Sequence, residues 1–474
     1  MQAVNLSNAT LADLPASVAR PDYDRTTLTP GIVHIGPGAF HRAHQAAYVD
    51  SILATDPRWA ISAVALNSTG VADALGPQDG LYTLALLDRE TSYRVIGSIT
   101  ELLTAQRRDA ILSRIAAPTT RLVTTTVTEK GYHLDGSGAL DMEHPAIVRE
   151  LTGAEPSTLS GWLVAGLAAR RAAGGGAITL MSCDNLADNG HRFRRSVRDL
   201  AAARDPDLAM WIDDNVRFPS TMVDSITPAT DDALRASVRA ATGLEDAWPI
   251  QREGFAQWVI EDDFAGDRPP LDAAGVQFTR DVRGFENAKL RLLNGAHSTL
   301  AYVGLLMGLV TVRDAMTCQP LAAFAERLMR QDIAPSIQPP AEMDLPAYID
   351  AVLARFANPA IAHQLAQIAW DGSQKLPYRL CDTIRDARAA GRSVDRLAVP
   401  IAAWFRFLEL RKMSGEKLVD PRAEALLARA GEPAALLAMR DVFGDLGEDA
   451  VFVAAVERAY AALAPGEDLA AALV

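Results

Sequence analysis

Cysteine is scarce: the 474 residues include three, Cys183, Cys318 and Cys381. Their number is odd and their separations are long, so they form neither a disulfide framework nor a zinc-ligand spacing, and a reducing cytoplasm is the expected compartment. Positive charge is also in deficit. Lys and Arg total 46 against 59 Asp and Glu, for a net charge of −13 and a sequence pI near 5.2. Nucleic acid and anionic membrane both need a basic surface, so neither is expected as the main partner and a small molecule is. Long apolar runs are missing. The longest, residues 299–312, falls short of the ~20 residues that span a bilayer and contains glycine and tyrosine, so a core helix is expected there. The first residues lack a basic segment followed by an apolar one, and no export signal is expected. Internal repeats are absent, and low complexity is confined to alanine-rich helical stretches.

What is present begins at Gly31, where Gly-Ile-Val-His-Ile reads as a short strand leading into Gly36, Pro37, Gly38, Ala39, Phe40 and His41, with a helical stretch to about residue 53. Strand, glycine turn and helix are what a pyrophosphate site requires, because glycine lets the backbone approach phosphate and the helix start directs N–H groups at it. The third glycine of the dinucleotide fingerprint is replaced by His41, so strand and helix are expected to pack less closely. Alone, the motif is equally compatible with an arbitrary strand-turn-helix.

A second strand, 60–66, ends at Asn67 with neither an acid for NAD ribose hydroxyls nor an arginine for the NADP phosphate; Asn67, Ser68 and Thr69 could bond either ribose. The lack of a basic residue favours NAD, with NADP open. Further strands are expected at 93–96, 121–127, 177–181 and around 221–226, with helices such as 159–171 and 190–203 between several of them. This alternation favours a parallel, doubly wound sheet. The polar clusters at 128–132 and 182–185 follow apolar runs, where such a sheet binds its ligands. After Asp224 the composition shifts: residues 258–275 read as a charged, proline-containing connection, followed by helical patterns at 321–329, 347–356, 361–369, 397–410, 422–429 and 449–463. Two domains are expected, an α/β domain over 1–214 with a short return segment near 281–290, and a mostly α-helical substrate-binding domain over 215–474.

Residues 285–298 (Phe-Glu-Asn-Ala-Lys-Leu-Arg-Leu-Leu-Asn-Gly-Ala-His-Ser) read as helix, weakened by Gly295 by about 1 kcal/mol. At about 100° per residue, Glu286, Lys289, Asn294 and His297 share an arc of roughly 140° while Arg291 points away. A lysine buried on such a helix loses solvation of its charged form, which lowers its pKa and makes it a usable base. An amide and an imidazole nearby could hold the oxygen whose proton it takes. An amphipathic helix with a solvent-facing polar stripe accounts for the same pattern.

The segments Gly-Pro-Gly-Ala-Phe-His-Arg-Ala-His-Gln (36–45), Thr-Val-Thr-Glu-Lys-Gly-Tyr (126–132), Met-Ser-Cys-Asp-Asn (181–185), Pro-Ser-Thr-Met-Val-Asp-Ser-Ile-Thr-Pro (219–228), Lys-Leu-Arg-Leu-Leu-Asn-Gly-Ala-His-Ser (289–298) and Asp-Gly-Ser-Gln-Lys-Leu-Pro (371–377) occur in this order. Together they resemble the mannitol dehydrogenase family of long-chain polyol-specific dehydrogenases, over about residues 14–460. The resemblance implies a Rossmann-type NAD(P)-binding domain, a largely helical C-terminal domain, and metal-independent hydride transfer between NAD(P) and a secondary alcohol. It implies D-mannitol and D-fructose as the leading pair. Lys289 matches the family's general acid/base, Asn185 and Asn294 its oxyanion amides, His297 a histidine on the substrate oxygen, Glu286 an acid tied to proton exchange with solvent, and Asp224 and Lys375 groups holding other hydroxyls. Asp224 could instead be a helix or turn cap, Asn185 the cap of the following helix, and Lys375 a surface lysine.

Gln367 departs from the pattern. Mannitol-specific members carry arginine eight residues before the lysine equivalent to Lys375, whereas members acting on mannonate and fructuronate have Gln-Ile-Ala there, as in residues 367–369. D-mannonate oxidation (fructuronate reductase) is therefore an alternative, with Lys375 and Arg379 as candidate cations for a carboxylate; D-arabinitol and D-sorbitol are others. A catalytically silent binding protein, a zinc enzyme and a sugar-phosphate reductase are weaker fits: Lys289, Asn185, Asn294 and His297 occur together, His41 and His44 have no accompanying metal ligand, and no arginine cluster demands phosphate. A monomer or weak homodimer is expected.

Overall fold

The computed structural model describes residues 4–473. They form two compact units, Met1–Val282 and Arg283–Val474.

The first unit is built on six strands: β1 (Pro30–Ile35), β2 (Ala60–Ala65), β3 (Ile99–Thr104), β4 (Leu122–Thr125), β5 (Ile178–Ser182) and β6 (Val216–Arg217). Their order is β3-β2-β1-β4-β5-β6 and every neighbouring pair is parallel. The chain starts at the centre, builds one half outward, then returns to build the other. The reversal between β1 and β4 is the topological switch point, where an open α/β sheet forms its ligand crevice. Side chains alternate across the sheet, so Val33, Val64, Val123 and Leu180 enter one core while Ile32, Ala63, Leu122 and Met181 enter the other. Helices Arg108–Ala116, Leu159–Ala172 and Asn189–Arg204 supply Ile111, Leu163 and Phe193 to the first core. Because both faces are covered, the central strands are apolar runs rather than alternating ones.

Three expectations need correction. The strand expected at 93–96 exists as Ser92–Ile96, but it pairs antiparallel with Tyr82–Leu87 in a separate four-stranded sheet. The place beside β2 is taken by Ile99–Thr104. Residues 215–282, expected in the helical half, belong to the first unit. Ile250–Glu253 lies parallel to Tyr82–Leu87, and Thr221–Asp224 pairs with Gln257–Glu261, which pairs in turn with Gln277–Thr279. Residues 283–290, expected to return to the first unit, lie in the second.

The second unit is helical around one large apolar core. Its central helix, Gly295–Leu306, is buried from Gly295 through Gly304, so apart from His297, Ser298 and Thr299 its sequence is largely apolar on every face. Helices Leu345–Phe356, Asp395–Ser414, Ala423–Arg429 and Ala450–Ala462 lie close to their expected positions, while 361–369 yields only Leu365–Ile368. Three π-helical segments interrupt the α-helices: Lys289–Asn294, Leu328–Ile333 and Pro377–Cys381. In the third, Pro377 has no N–H to continue the α ladder. Gly295 has a packing reason, since a Cβ there would lie 3.0 Å from the Arg379 carbonyl oxygen. Among the described residues, no helix is long and apolar enough to cross a membrane.

Candidate functional site

In the first unit, β1 runs into a loop fixed by its own backbone. Gly36 has φ +91°, and a Cβ there would sit 2.3 Å from the Thr126 carbonyl oxygen. Its N–H donates to Val64 O at 2.9 Å, and its carbonyl receives the Gly38 N–H and the Thr126 hydroxyl, each at 2.7 Å. Gly38 differs. It has φ −70° and is exposed, and a Cβ there would meet nothing nearer than Gly36 O at 3.9 Å. The fold does not require glycine at 38, so the open space suits a group that must approach the backbone closely, as a dinucleotide pyrophosphate does. Ala39 and Phe40 open a helix that ends at Ala43; a bend at His44 (φ −117°, ψ −87°) separates it from Gln45–Asp50, so the expected helix to residue 53 is broken. Pro37 is buried, and Phe40 stacks on His44 with ring centroids 5.0 Å apart. Asn67 lies exposed in the bend after β2.

At the carboxyl ends of β4 and β5, Asp184 joins two loops. Its carboxylate accepts the Val127 and Thr128 N–H groups at 2.9 and 2.8 Å and the Tyr132 hydroxyl at 2.5 Å. Burial pushes this carboxyl up and those hydrogen bonds oppose the rise. Thr128 has φ +70°, a strained value for a β-branched residue. Asn185 follows Asp184 and is exposed; the next helix is preceded by Asp188, so Asn185 is not its cap. Asp224 ends its strand in register with Gln257 and is buried, and the helix that follows is capped by Asp231 instead.

In the second unit, Lys289 is the first residue of a π segment and only 9% exposed, with Phe285 and Leu292 buried near it in sequence. Glu286 lies partly exposed on the preceding helix, Val282–Ala288. The wider π turn changes the angular advance per residue, so the roughly 140° arc worked out for an uninterrupted α-helix does not hold across residues 289–294. Asn294 ends the π segment, and its carbonyl oxygen lies 3.5 Å from Arg379 Nη1, which also donates to Ser298 Oγ at 3.1 Å. His297 is 8% exposed, against Phe356 at 4.5 Å and edge-on to His363 at 5.4 Å between centroids. Burial, then His363, Arg355 and Arg379, push its pKa well below the ordinary value, so the ring is neutral. Its Nε2 and the Nδ1 of His363 are buried without hydrogen-bond partners.

Lys375 is half-buried, 4.0 Å from Asp371, and burial followed by Arg379 lowers its pKa. It is not a plain surface lysine. Burial likewise brings Arg379 down to about 10, and among the described residues no carboxylate pairs with it. Gln367 is exposed on the short helix Leu365–Ile368. The sequence reading missed His34, Arg355 and His363, and placed Asp184 in the ligand-binding cluster 182–185 without a role of its own. Arg355 left a signal: it falls on the buried face of its helix with Tyr348, Ile349, Val352 and Phe356. Among the described residues, no group of three His, Cys, Asp or Glu side chains is placed to hold a metal ion.

The profile described as the Mannitol dehydrogenase Rossmann domain matches residues 30–273, and the Mannitol dehydrogenase C-terminal domain matches 281–464. D-mannonate oxidoreductase of Escherichia coli (strain K12) is 42% identical over 469 residues, covering 95% of this chain and 96% of its own. Polyol:NADP oxidoreductase of Gluconobacter oxydans (strain 621H) is 41% identical over 419 residues, 86% of each chain. The Pseudomonas fluorescens mannitol 2-dehydrogenase ternary complex with NAD and D-mannitol is 38% identical and superposes with a TM-score of 0.83 over 99% of both chains. With both halves matched in order and the relatives aligned nearly end to end, the chain belongs to the mannitol dehydrogenase family, a family of polyol oxidoreductases.

Proposed function

We propose that this chain interconverts a polyol or aldonate and the ketone formed at the carbinol next to its terminal CH2OH, by NAD-dependent hydride transfer, with Lys289 exchanging the hydroxyl proton. The supporting observation is a buried lysine at the start of a π segment, with a buried histidine whose Nε2 is unpartnered in the first turn of the helix that follows that segment. Lys289 takes the proton of the carbinol hydroxyl in oxidation and returns it to the ketose oxygen in reduction. Asn185 and Asn294 donate amide N–H groups to that oxygen as charge builds on it. His297, being neutral, can donate one hydrogen bond to the same oxygen without placing a second cation beside the lysine. Glu286 exchanges the proton with solvent, and Asp224, Lys375 and Gln367 bind the remaining substrate groups. When bound, NAD supplies the hydride acceptor; Gly36, Pro37, Gly38, Ala39 and Phe40 would hold its pyrophosphate and Asn67 its ribose.

Two substrate pairs fit. D-mannitol and D-fructose need only hydrogen-bond partners, whereas D-mannonate and D-fructuronate also need a fixed cation. Arg379 favours the second pair: it is largely desolvated, lacks a carboxylate partner among the described residues, and acts electrostatically on both His297 and Lys375. The test is a spectrophotometric panel at 340 nm: mannitol, arabinitol, sorbitol and mannonate in oxidation, fructose and fructuronate in reduction, each with NAD(H) and NADP(H). Mannonate and fructuronate are expected to lead with NAD(H). A lead for mannitol and fructose would make Arg379 a hydrogen-bond donor to hydroxyls, and no turnover with any pair would refute the proposal.

A further inference from the structure

His34 and His41 lie outside the proposed chemistry, yet both are fully buried beside the glycine loop. His34 faces Thr124 across the β1–β4 ladder, and its Nδ1 is 2.8 Å from the Thr124 hydroxyl. Its Nε2 lies 3.2 Å from the Gly36 carbonyl oxygen and 3.1 Å from Thr126 Oγ1. A carbonyl only accepts, so Nε2 carries the hydrogen and Nδ1 accepts from Thr124. The Gly36 carbonyl thus receives three donors, from His34, Thr126 and Gly38. His41, at the position where the fingerprint has its third glycine, lies flat on His34, with centroids 3.4 Å apart and planes 8° from parallel. Both His41 ring nitrogens are without hydrogen-bond partners. The ring's specific contact is therefore its face.

We propose that the His34–His41 stack is a positioning device for the dinucleotide loop: His41 presses on His34, and His34 fixes the Gly36 carbonyl and with it the backbone of residues 36–40. The stack replaces the close helix–strand contact that a third glycine would allow. This inference rests on the cofactor reading above. An aromatic ring without nitrogens should serve equally at 41, whereas an aliphatic side chain of similar size, or glycine, should not.

The test uses the full chain and measures NADH binding by fluorescence titration, alongside thermal unfolding. His41→Phe should bind NADH within about twofold of the unaltered protein. His41→Leu and His41→Gly should bind about tenfold more weakly, equivalent to about 1.4 kcal/mol. Should glycine prevent folding, leucine still decides. Leucine binding NADH as well as phenylalanine does, or phenylalanine failing as leucine does, would overturn the role of the stack. If the unaltered protein bound neither NADH nor NADPH, the cofactor reading itself would fall, and this inference with it.

Discussion

Two glycines two residues apart should respond oppositely to the same methyl group. At Gly36, φ is +91° and a Cβ would lie 2.3 Å from a backbone oxygen of Thr126, about 1 Å inside contact distance. Left-handed backbone costs a non-glycine residue about 1–2 kcal/mol. Moving the Thr126 segment aside would weaken its hydroxyl bond to Gly36 O and its N–H bond to Ile35 O, each worth about 1 kcal/mol. Gly36→Ala should therefore destabilise the first unit by about 3–4 kcal/mol, a fall of about 6–16 °C in its unfolding midpoint. At Gly38, φ is −70° and the new methyl would meet nothing nearer than 3.9 Å. Gly38→Ala should leave the midpoint within about 1 °C, because surface changes without strain stay within about 0.5 kcal/mol. It should still weaken NADH binding at least tenfold, by filling the space proposed for the pyrophosphate. Calorimetry and NADH titration on the same preparations separate the effects. If Gly38→Ala bound NADH normally, the loop would not be the pyrophosphate site, and if it unfolded as early as Gly36→Ala, the steric distinction would be wrong.

Lys289→Ala should lower kcat by about 10²–10⁴-fold, the range for loss of a general base, with the NADH dissociation constant unchanged in titration. Arg379→Gln should reduce kcat/KM for mannonate at least tenfold more than for mannitol; equal losses would show that the guanidinium is not reading a carboxylate. His34 should make the first unit acid-sensitive. Burial brings its folded pKa down to about 3, whereas the unfolded side chain titrates near 6.5, so between these values the unfolded chain holds one more proton. Its contribution is intact above about pH 6.5 and falls by about 1.4 kcal/mol per pH unit as pH drops toward 3. Denaturation of His34→Asn at about pH 6, 5 and 4 should show a slope shallower by that amount, even though the variant is less stable throughout.

The central strands were legible because burial on both faces makes them continuous apolar runs, as in Ala60–Ala65. Strand Ile99–Thr104 was not, since it is an edge strand and carries Glu101, paired with Arg114 at 2.8 Å. Residues 215–282 were misassigned for a different reason. Ile250–Glu253 finds its partner in Tyr82–Leu87, far back in the chain, and composition carries no record of such pairing. The π turn at Lys289 is likewise a hydrogen-bond register, invisible in a side-chain pattern that fits an α-helix. What the pattern did expose was polarity at positions the fold largely buries: Lys289 and His297 are polar residues on a helical stretch and are only 9% and 8% exposed. Folding then added Arg355, from the helix Leu345–Phe356, and His363, from the loop before Leu365–Ile368, which both act on His297. Leaving a buried polar atom unbonded costs about 1–3 kcal/mol. The unpartnered nitrogens of His297 and His363 lie on rings 5.4 Å apart, so the helical fold carries that cost twice in one place. Apolar side chains there would pack the core without it; under the proposed function, the hydrogen bond between His297 and the substrate oxygen removes part of that cost.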